Sequence, residues 1–265
     1  MYKIGLSSCG KVLNEHLFAD YAKNGIEAME ISPHWAEYKS LNYKELQTYA
    51  KAYGITLWSY HLPFQTTEIS TEDRAWRLCA LEYMSELIKQ ASDVGIHKFV
   101  AHASSEMTRE PEKRAQRIAY AKDSLNQLAE IAAKFDSEIC VEDLPRGCLG
   151  NCSDEILELL SVNDKLRVCF DTNHLLGEDI VAFIKRIGNK ITTLHVSDYD
   201  YIDERHWLPG EGEIPWDKVY TALKEVGYSG VWMYEINFRK NLGCKEFANN
   251  AKEIFAGKPL TALSK

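Results

Sequence analysis

The chain has 265 residues, 45% of them hydrophobic and 26% charged, a composition that excludes a disordered, collagenous or coiled-coil protein. Its 31 basic and 39 acidic residues leave a net charge of −8, which argues against a nucleic-acid partner, because phosphate binding draws on a basic face. A chain of this length buries roughly three quarters of its unfolded surface, and no Pro/Gly/Ser-rich linker divides it, so residues 1–265 read as one domain.

From the N-terminus onward, short apolar runs alternate with longer amphipathic stretches. The runs are Tyr2–Ser7, Ala28–Ser32, Thr56–His61, Lys98–His102, Glu138–Glu142, Leu166–Asp171, Thr192–Ser197 and Gly230–Glu235. Between them, Ala75–Val94 and Glu112–Phe135 repeat apolar residues at three- and four-residue spacing and are predicted helices. Asn24-Gly25, Tyr53-Gly54, Val94-Gly95 and Val226-Gly227 are helix stops placed just before a run. Ser153, with Ile156 and Leu157 behind it, is the expected N-cap of a further helix. Eight strand–helix units of about 33 residues predict a parallel sheet with right-handed crossovers and fit a (β/α)8 TIM barrel, typically ~250 residues long. The alternative, an open doubly wound sheet, lacks the expected Gly-x-Gly-x-x-Gly after its first strand.

Met1–Gly10 holds no apolar stretch fit for a signal peptide, and no run approaches membrane-spanning length, so a cytoplasmic protein clear of the membrane is expected. Seven scattered cysteines suit a reducing compartment. Cys140 and Cys169 lie in apolar runs as small core residues, and the Cys148/Cys152 pair lacks the second pair a zinc site needs. The basic stretches Lys113–Arg117 and Arg239–Lys245 are interrupted by Glu, Asn or Ala and read as solvated faces. The tail Gly257–Lys265 is free to fray or to pack on a second copy in a homo-oligomer.

The chemistry gathers at the C-terminal ends of the runs. Six successive ends carry His61, His102, Glu142, Asp171, His195 and Glu235. In a (β/α)8 barrel those ends open on one basin. Taken singly, each residue would read as a hydrogen-bonded strand cap. Taken together, several buried carboxylates repel one another unless a cation compensates. The set therefore predicts a divalent metal ion, Mn²⁺, Mg²⁺ or Co²⁺ for a carboxylate-rich site, with Zn²⁺ favoured as histidines are added. His174 stands three residues beyond Asp171, where a tight turn aims both into the basin. The loop Asp203–Trp216 follows strand seven as a lid or wall, with Arg205 and His206 reaching back over the site and Gly210 and Gly212 permitting sharp turns.

Val141-Glu142-Asp143-Leu144-Pro145-Arg146, Phe170-Asp171-Thr172-Asn173-His174, Leu194-His195-Val196-Ser197-Asp198, His206-x-x-Pro-Gly210-x-Gly212 and Tyr234-Glu235 together resemble the xylose isomerase-like TIM barrel superfamily over essentially the whole chain. That superfamily holds sugar and sugar-phosphate isomerases and epimerases, the tagatose/psicose 3-epimerases and the endonuclease IV-type apurinic endonucleases. The resemblance implies that Glu142, Asp171, His195 and Glu235 bind one divalent metal, that Glu142 and Glu235 double as the acid/base pair, and that His174 touches substrate. The epimerases usually carry Arg where this chain has His206. The endonuclease branch would use nine ligands for three zinc ions, matched by His61, His102, Glu142, Asp171, His174, His195, Glu204, His206 and Glu235, with Glu204 longer than the Asp usual there.

The expected activity is isomerisation or epimerisation of a small polyhydroxy carbonyl compound (a sugar, sugar phosphate or keto-inositol), by glutamate-mediated proton transfer through a metal-stabilised ene-diolate. His61, His102, His174, His206, Arg205, Trp35 and Trp207 are placed along the sugar pocket. Dehydration of a keto acid or keto-inositol, apurinic endonuclease activity, and sugar binding without turnover are the alternatives. Metal stoichiometry and turnover on a ketose panel separate them.

Overall fold

Parallel strands that read as continuous apolar runs must bury both faces, one against crossover helices and the other, in a barrel, against the side chains that fill its interior. In a computed structural model, which describes residues 1–237 and 242–261, the order is β1 (Ile4–Ser7), α1 (Glu15–Lys23), β2 (Ala28–Ile31), α2 (Tyr43–Tyr53), β3 (Thr56–His61), α3 (Arg74–Ser92), β4 (Lys98–His102) and α4 (Pro111–Ala133). It continues β5 (Glu138–Glu142), α5 (Ser153–Leu160), β6 (Arg167–Asp171), α6 (Ile180–Ile187), β7 (Ile191–His195), α7 (Trp216–Glu225), β8 (Trp232–Tyr234) and α8 (Cys244–Phe255). Part of the Arg239–Lys245 stretch and the end of the Gly257–Lys265 tail lie outside the described residues.

Each strand pairs in parallel with its chain neighbours from β1 to β7, and β8 returns to β1. The remaining seam is closed by Val196 N donating to Met233 O at 2.8 Å and Glu235 N donating to Val196 O at 3.2 Å. An open sheet would leave β8 away from β1. The chain is a (β/α)8 TIM barrel.

Helix starts follow from side-chain caps. Asn14, Asn42, Asp73 and Asp179 accept backbone N–H groups at the starts of α1, α2, α3 and α6. Ser153 departs from expectation, being the first helical residue of α5 rather than its cap. The carboxylate of Glu178 accepts both its N–H (2.7 Å) and its hydroxyl (2.5 Å), so a residue from the next loop does the capping. The predicted strand ends also shift. Tyr2 leaves the sheet to join an aromatic cluster with Tyr220, Tyr228 and Phe255, and β8 shrinks to Trp232–Tyr234.

Two irregularities in the sheet position the site. Pairing slips by one residue between Met29 and Glu30 against β3, placing Glu30 opposite Ser59. It slips again between Val168 and Cys169 against β7, placing Asp171 opposite His195. An extra residue in a ladder re-aims the side chains beyond it.

The loop after β7 is built around one buried carboxylate. Asp198 accepts the N–H groups of Gly210 (2.7 Å) and Ile214 (3.2 Å) and the indole N–H of Trp216 (2.9 Å). The backbone passes so close that a Cβ on Gly212 would lie 2.4 Å from an Asp198 carboxylate oxygen and closer still to Tyr199 O. Gly210 is needed for a different reason, its φ of +96°. Gly212→Ala is expected to lower stability by about 1–3 kcal/mol, the usual cost of forced overpacking; a shift of the urea midpoint at constant m-value checks it.

Candidate active site

The C-terminal strand ends enclose a cavity of roughly 540 Å³ whose wall includes His61, His102, Glu142, His174, His206 and Glu235. β3, β4, β5 and β8 deliver four of these, and the loops after β6 and β7 deliver His174 and His206. His195 and Asp171, at the ends of β7 and β6, are fully buried beneath them.

Three carboxylates converge on one imidazole nitrogen. His195 Nδ1 lies 3.0 Å from Glu142, 3.2 Å from Glu235 and 3.8 Å from Asp171. One ligand atom from each of Glu142, Asp171, His195 and Glu235 falls within 4.8 Å of all the others. Asp171 Oδ2, although buried, makes no hydrogen bond, which suits an oxygen reserved for a cation. A set of three carboxylates and one imidazole fits a divalent ion of the Mn²⁺, Mg²⁺, Co²⁺ or Zn²⁺ kind.

Glu142 is the hub. Its Oε2 meets His102 Nε2 at 3.0 Å and His61 Nε2 at 3.3 Å, while Oε1 meets His195. The outer histidines are tethered through Nδ1 to backbone carbonyls: His61 to Leu62 O (2.9 Å), His174 to Asp143 O (2.7 Å) and His206 to Glu235 O (3.3 Å). An Nδ1–H spent on a carbonyl leaves Nε2 facing the carboxylates of the cluster, the nitrogen a cation would take once its proton leaves. Two further donor groups result, His61–His102–Glu142 and His174–Glu204–His206.

The charges set one another. Burial resists ionisation of Glu142, but the imidazoles of His195 and His102 hold its carboxyl well below the usual range. Burial pushes Asp171 up to about 6, against the pull of His174 and His206. Burial disfavours the charged form of His61, yet Glu142 lifts it to about 9. His206 likewise rises to about 9 despite burial, through Glu204, Asp171 and Glu235.

The family model for xylose isomerase-like TIM barrels matches residues 18–255. The chain belongs to this family. The D-psicose 3-epimerase of Ruminiclostridium cellulolyticum is 26% identical over 220 residues, covering 79% of this chain and 73% of that one. Among solved structures, a D-tagatose 3-epimerase-like protein superposes with a TM-score of 0.83 over 96% of each chain at 24% identity. The IolI protein, crystallised with a zinc atom, superposes with a TM-score of 0.77 at 20% identity, covering 96% of this chain and 97% of that one. The sequence relatives of this xylose isomerase-like barrel place it among enzymes of the isomerase and epimerase type.

Not every residue expected in the pocket of this xylose isomerase-like barrel lines it. Trp35 is 55% exposed and lies outside the cavity wall, as does Trp207. Arg205 turns away, its guanidinium held by Asp200 at 2.9 Å and resting over the Trp207 ring. In its place Arg146 reaches the cavity edge, paired with Asp203 and Glu204. Glu30 was missed, though it is fully buried and touches His195. Its signal was its place near the end of the second apolar run, where a lone carboxylate interrupts Ala-Met-Glu-Ile. Trp35→Ala and Arg205→Ala are expected to leave KM for a turned-over substrate essentially unchanged and stability within about 0.5 kcal/mol; steady-state kinetics and thermal melts check both.

Proposed function

We propose that this barrel is a divalent-metal-dependent epimerase or isomerase of a small polyhydroxy carbonyl compound. One observation carries the reading. Of the four residues that converge on a single point, Glu142 and Glu235 open on the cavity, whereas Asp171 and His195 stay beneath it. Two residues thus serve only to hold, and two carboxylates can hold and also face a substrate. The epimerase names of the relatives and the zinc atom in the IolI structure support the same reading.

A divalent ion held by Glu142, Asp171, His195 and Glu235 supplies Lewis acidity to the oxygens of a hydroxy-carbonyl substrate. The chain does the rest. One of the two glutamates takes the proton from the carbon next to the carbonyl, and the other returns a proton to the opposite face or to the adjacent carbon. His61 and His102, on Glu142 Oε2, keep that carboxylate in one orientation. His174 and His206 stand on the wall as hydroxyl-orienting groups, fixed by their carbonyl tethers. Phe64 stacks on His102 with ring centroids 4.1 Å apart, and Phe64, Leu144 and Ile236 give the otherwise polar cavity wall its apolar parts.

Glu142→Gln and Glu235→Gln preserve shape and one ligand oxygen but remove the base. Each is expected to cost about 10²–10⁴ in kcat. Wild-type turnover of a ketose in D₂O should place deuterium at the reacting carbon. Product without label would exclude the two-glutamate scheme and leave both residues as ligands. Loss of water from a keto acid or keto-inositol in the same assay would favour the dehydratase alternative.

The two additional donor groups favour a second reading, an apurinic endonuclease with three zinc ions. The net charge of −8 opposes it, since a bent duplex must be gripped by a basic rim. Chelator-treated protein reloaded with Zn²⁺ or Mn²⁺ is expected to gain thermal stability, about 2.7 kcal/mol at a hundredfold excess over Kd, and to leave an abasic duplex intact. Three bound zinc ions with efficient nicking would reverse the ranking.

A further inference from the structure

Every tethered histidine described above spends Nδ1 on a main-chain carbonyl, except His195. Its ring is reversed. Nδ1 faces the three carboxylates, and Nε2 points the other way, 3.0 Å from Glu30 Oε2. Glu30 itself is fully buried and fully engaged. Ser59 Oγ donates to Oε2 at 2.8 Å, and Ser7 Oγ donates to Oε1 at 3.1 Å. Both hydroxyls are donors here, so Glu30 serves as acceptor throughout and Nε2 of His195 must carry its hydrogen. Three strands contribute to this arrangement, Ser7 from β1, Glu30 from β2 and Ser59 from β3. The register slip at Met29/Glu30 is what sets Glu30 opposite Ser59.

The geometry points to Glu30 as a positioning residue for the metal centre: it fixes His195 in the Nε2–H tautomer, so that the Nδ1 lone pair is presented to the cation. A carboxylate behind a ligating imidazole orients the ring and raises its basicity as a ligand, and removing one costs about 10–100-fold in metal affinity. Glu30 is not on the cavity wall, so it does not contact substrate. Its role lies wholly in what it does to His195. The inference rests on the metal reading proposed above, and goes beyond it by assigning a function to a buried carboxylate outside the four-residue set.

The test uses the full chain, stripped with chelator and titrated with Zn²⁺ alone by calorimetry, together with ¹⁵N-histidine NMR of the zinc-loaded protein. Wild type should show one histidine with Nδ1 bound to metal and Nε2 protonated. Glu30→Gln is expected to bind the tightest Zn²⁺ about 10–100-fold more weakly and to lose that single-tautomer signature. Ser59→Ala, a smaller change that keeps the carboxylate, should weaken binding in the same direction by a few-fold, and it serves if Glu30→Gln does not fold. A folded Glu30→Gln protein with wild-type affinity and the same imidazole signature would overturn the inference. So would wild-type affinity in Ser59→Ala, should that be the only folded variant. Wild-type protein that takes up no Zn²⁺ would instead overturn the metal reading, and this inference with it.

Discussion

Three carboxylates share one imidazole nitrogen at the top of this barrel, and most of what surrounds them follows from the repulsion this creates. Glu142, Asp171 and Glu235 all lie within 4 Å of His195 Nδ1, the first two buried and Glu235 partly so. Such a cluster is costly unless positive charge balances it. Within the protein the balance comes from imidazole: His61 and His206 are both lifted to about 9. The shifts and the cluster are therefore one phenomenon. A divalent ion would supply the same balance more compactly and release those protons as it binds.

The barrel makes the concentration affordable by rigidity. Eight parallel strands deliver their last residues to one basin, and the hydrogen-bonded ladder fixes the register of each strand against its neighbours. Two register slips adjust that delivery, one bringing Glu30 against Ser59 and the other Asp171 against His195. The extra residues are Trp58 on β3 and Thr192 on β7; without them the ends of β3 and β7 would present their other faces beside Glu30 and Asp171, because side chains alternate along a strand. The slips are local departures from regular pairing placed where the site needs them.

The loops are organised on different terms. Asp198 gathers the backbone after β7 by accepting three donors from residues 210–216, and Glu68 joins the β3 and β4 loops by accepting Ser105 N at 2.8 Å while paired with Arg117. These acceptors, Asp198 fully buried and Glu68 partly so, hold the loops that carry Phe64 and His206 on the cavity wall.

The sequence by itself determined the barrel and the polar strand ends that gather in its basin. Apolar runs at even spacing allow few other closed arrangements, and His61, His102, Glu142, Asp171, His195 and Glu235 each follow a run whose end must face the basin. It could not determine where long side chains on loops would turn. Arg205 found Asp200 instead of the pocket, Trp35 stayed in solvent, and Ser153 yielded its capping role to Glu178. Nor could it reveal Glu30, which is read as an isolated acid within a core strand until the closed barrel brings it against His195 and the bulge on β3 sets Ser59 beside it. The difference has one physical reason. Strand periodicity is local and repeats in the sequence, whereas a loop side chain, or a strand residue beside a neighbour's bulge, finds its partners dozens of residues away, where only the closed fold brings them into contact.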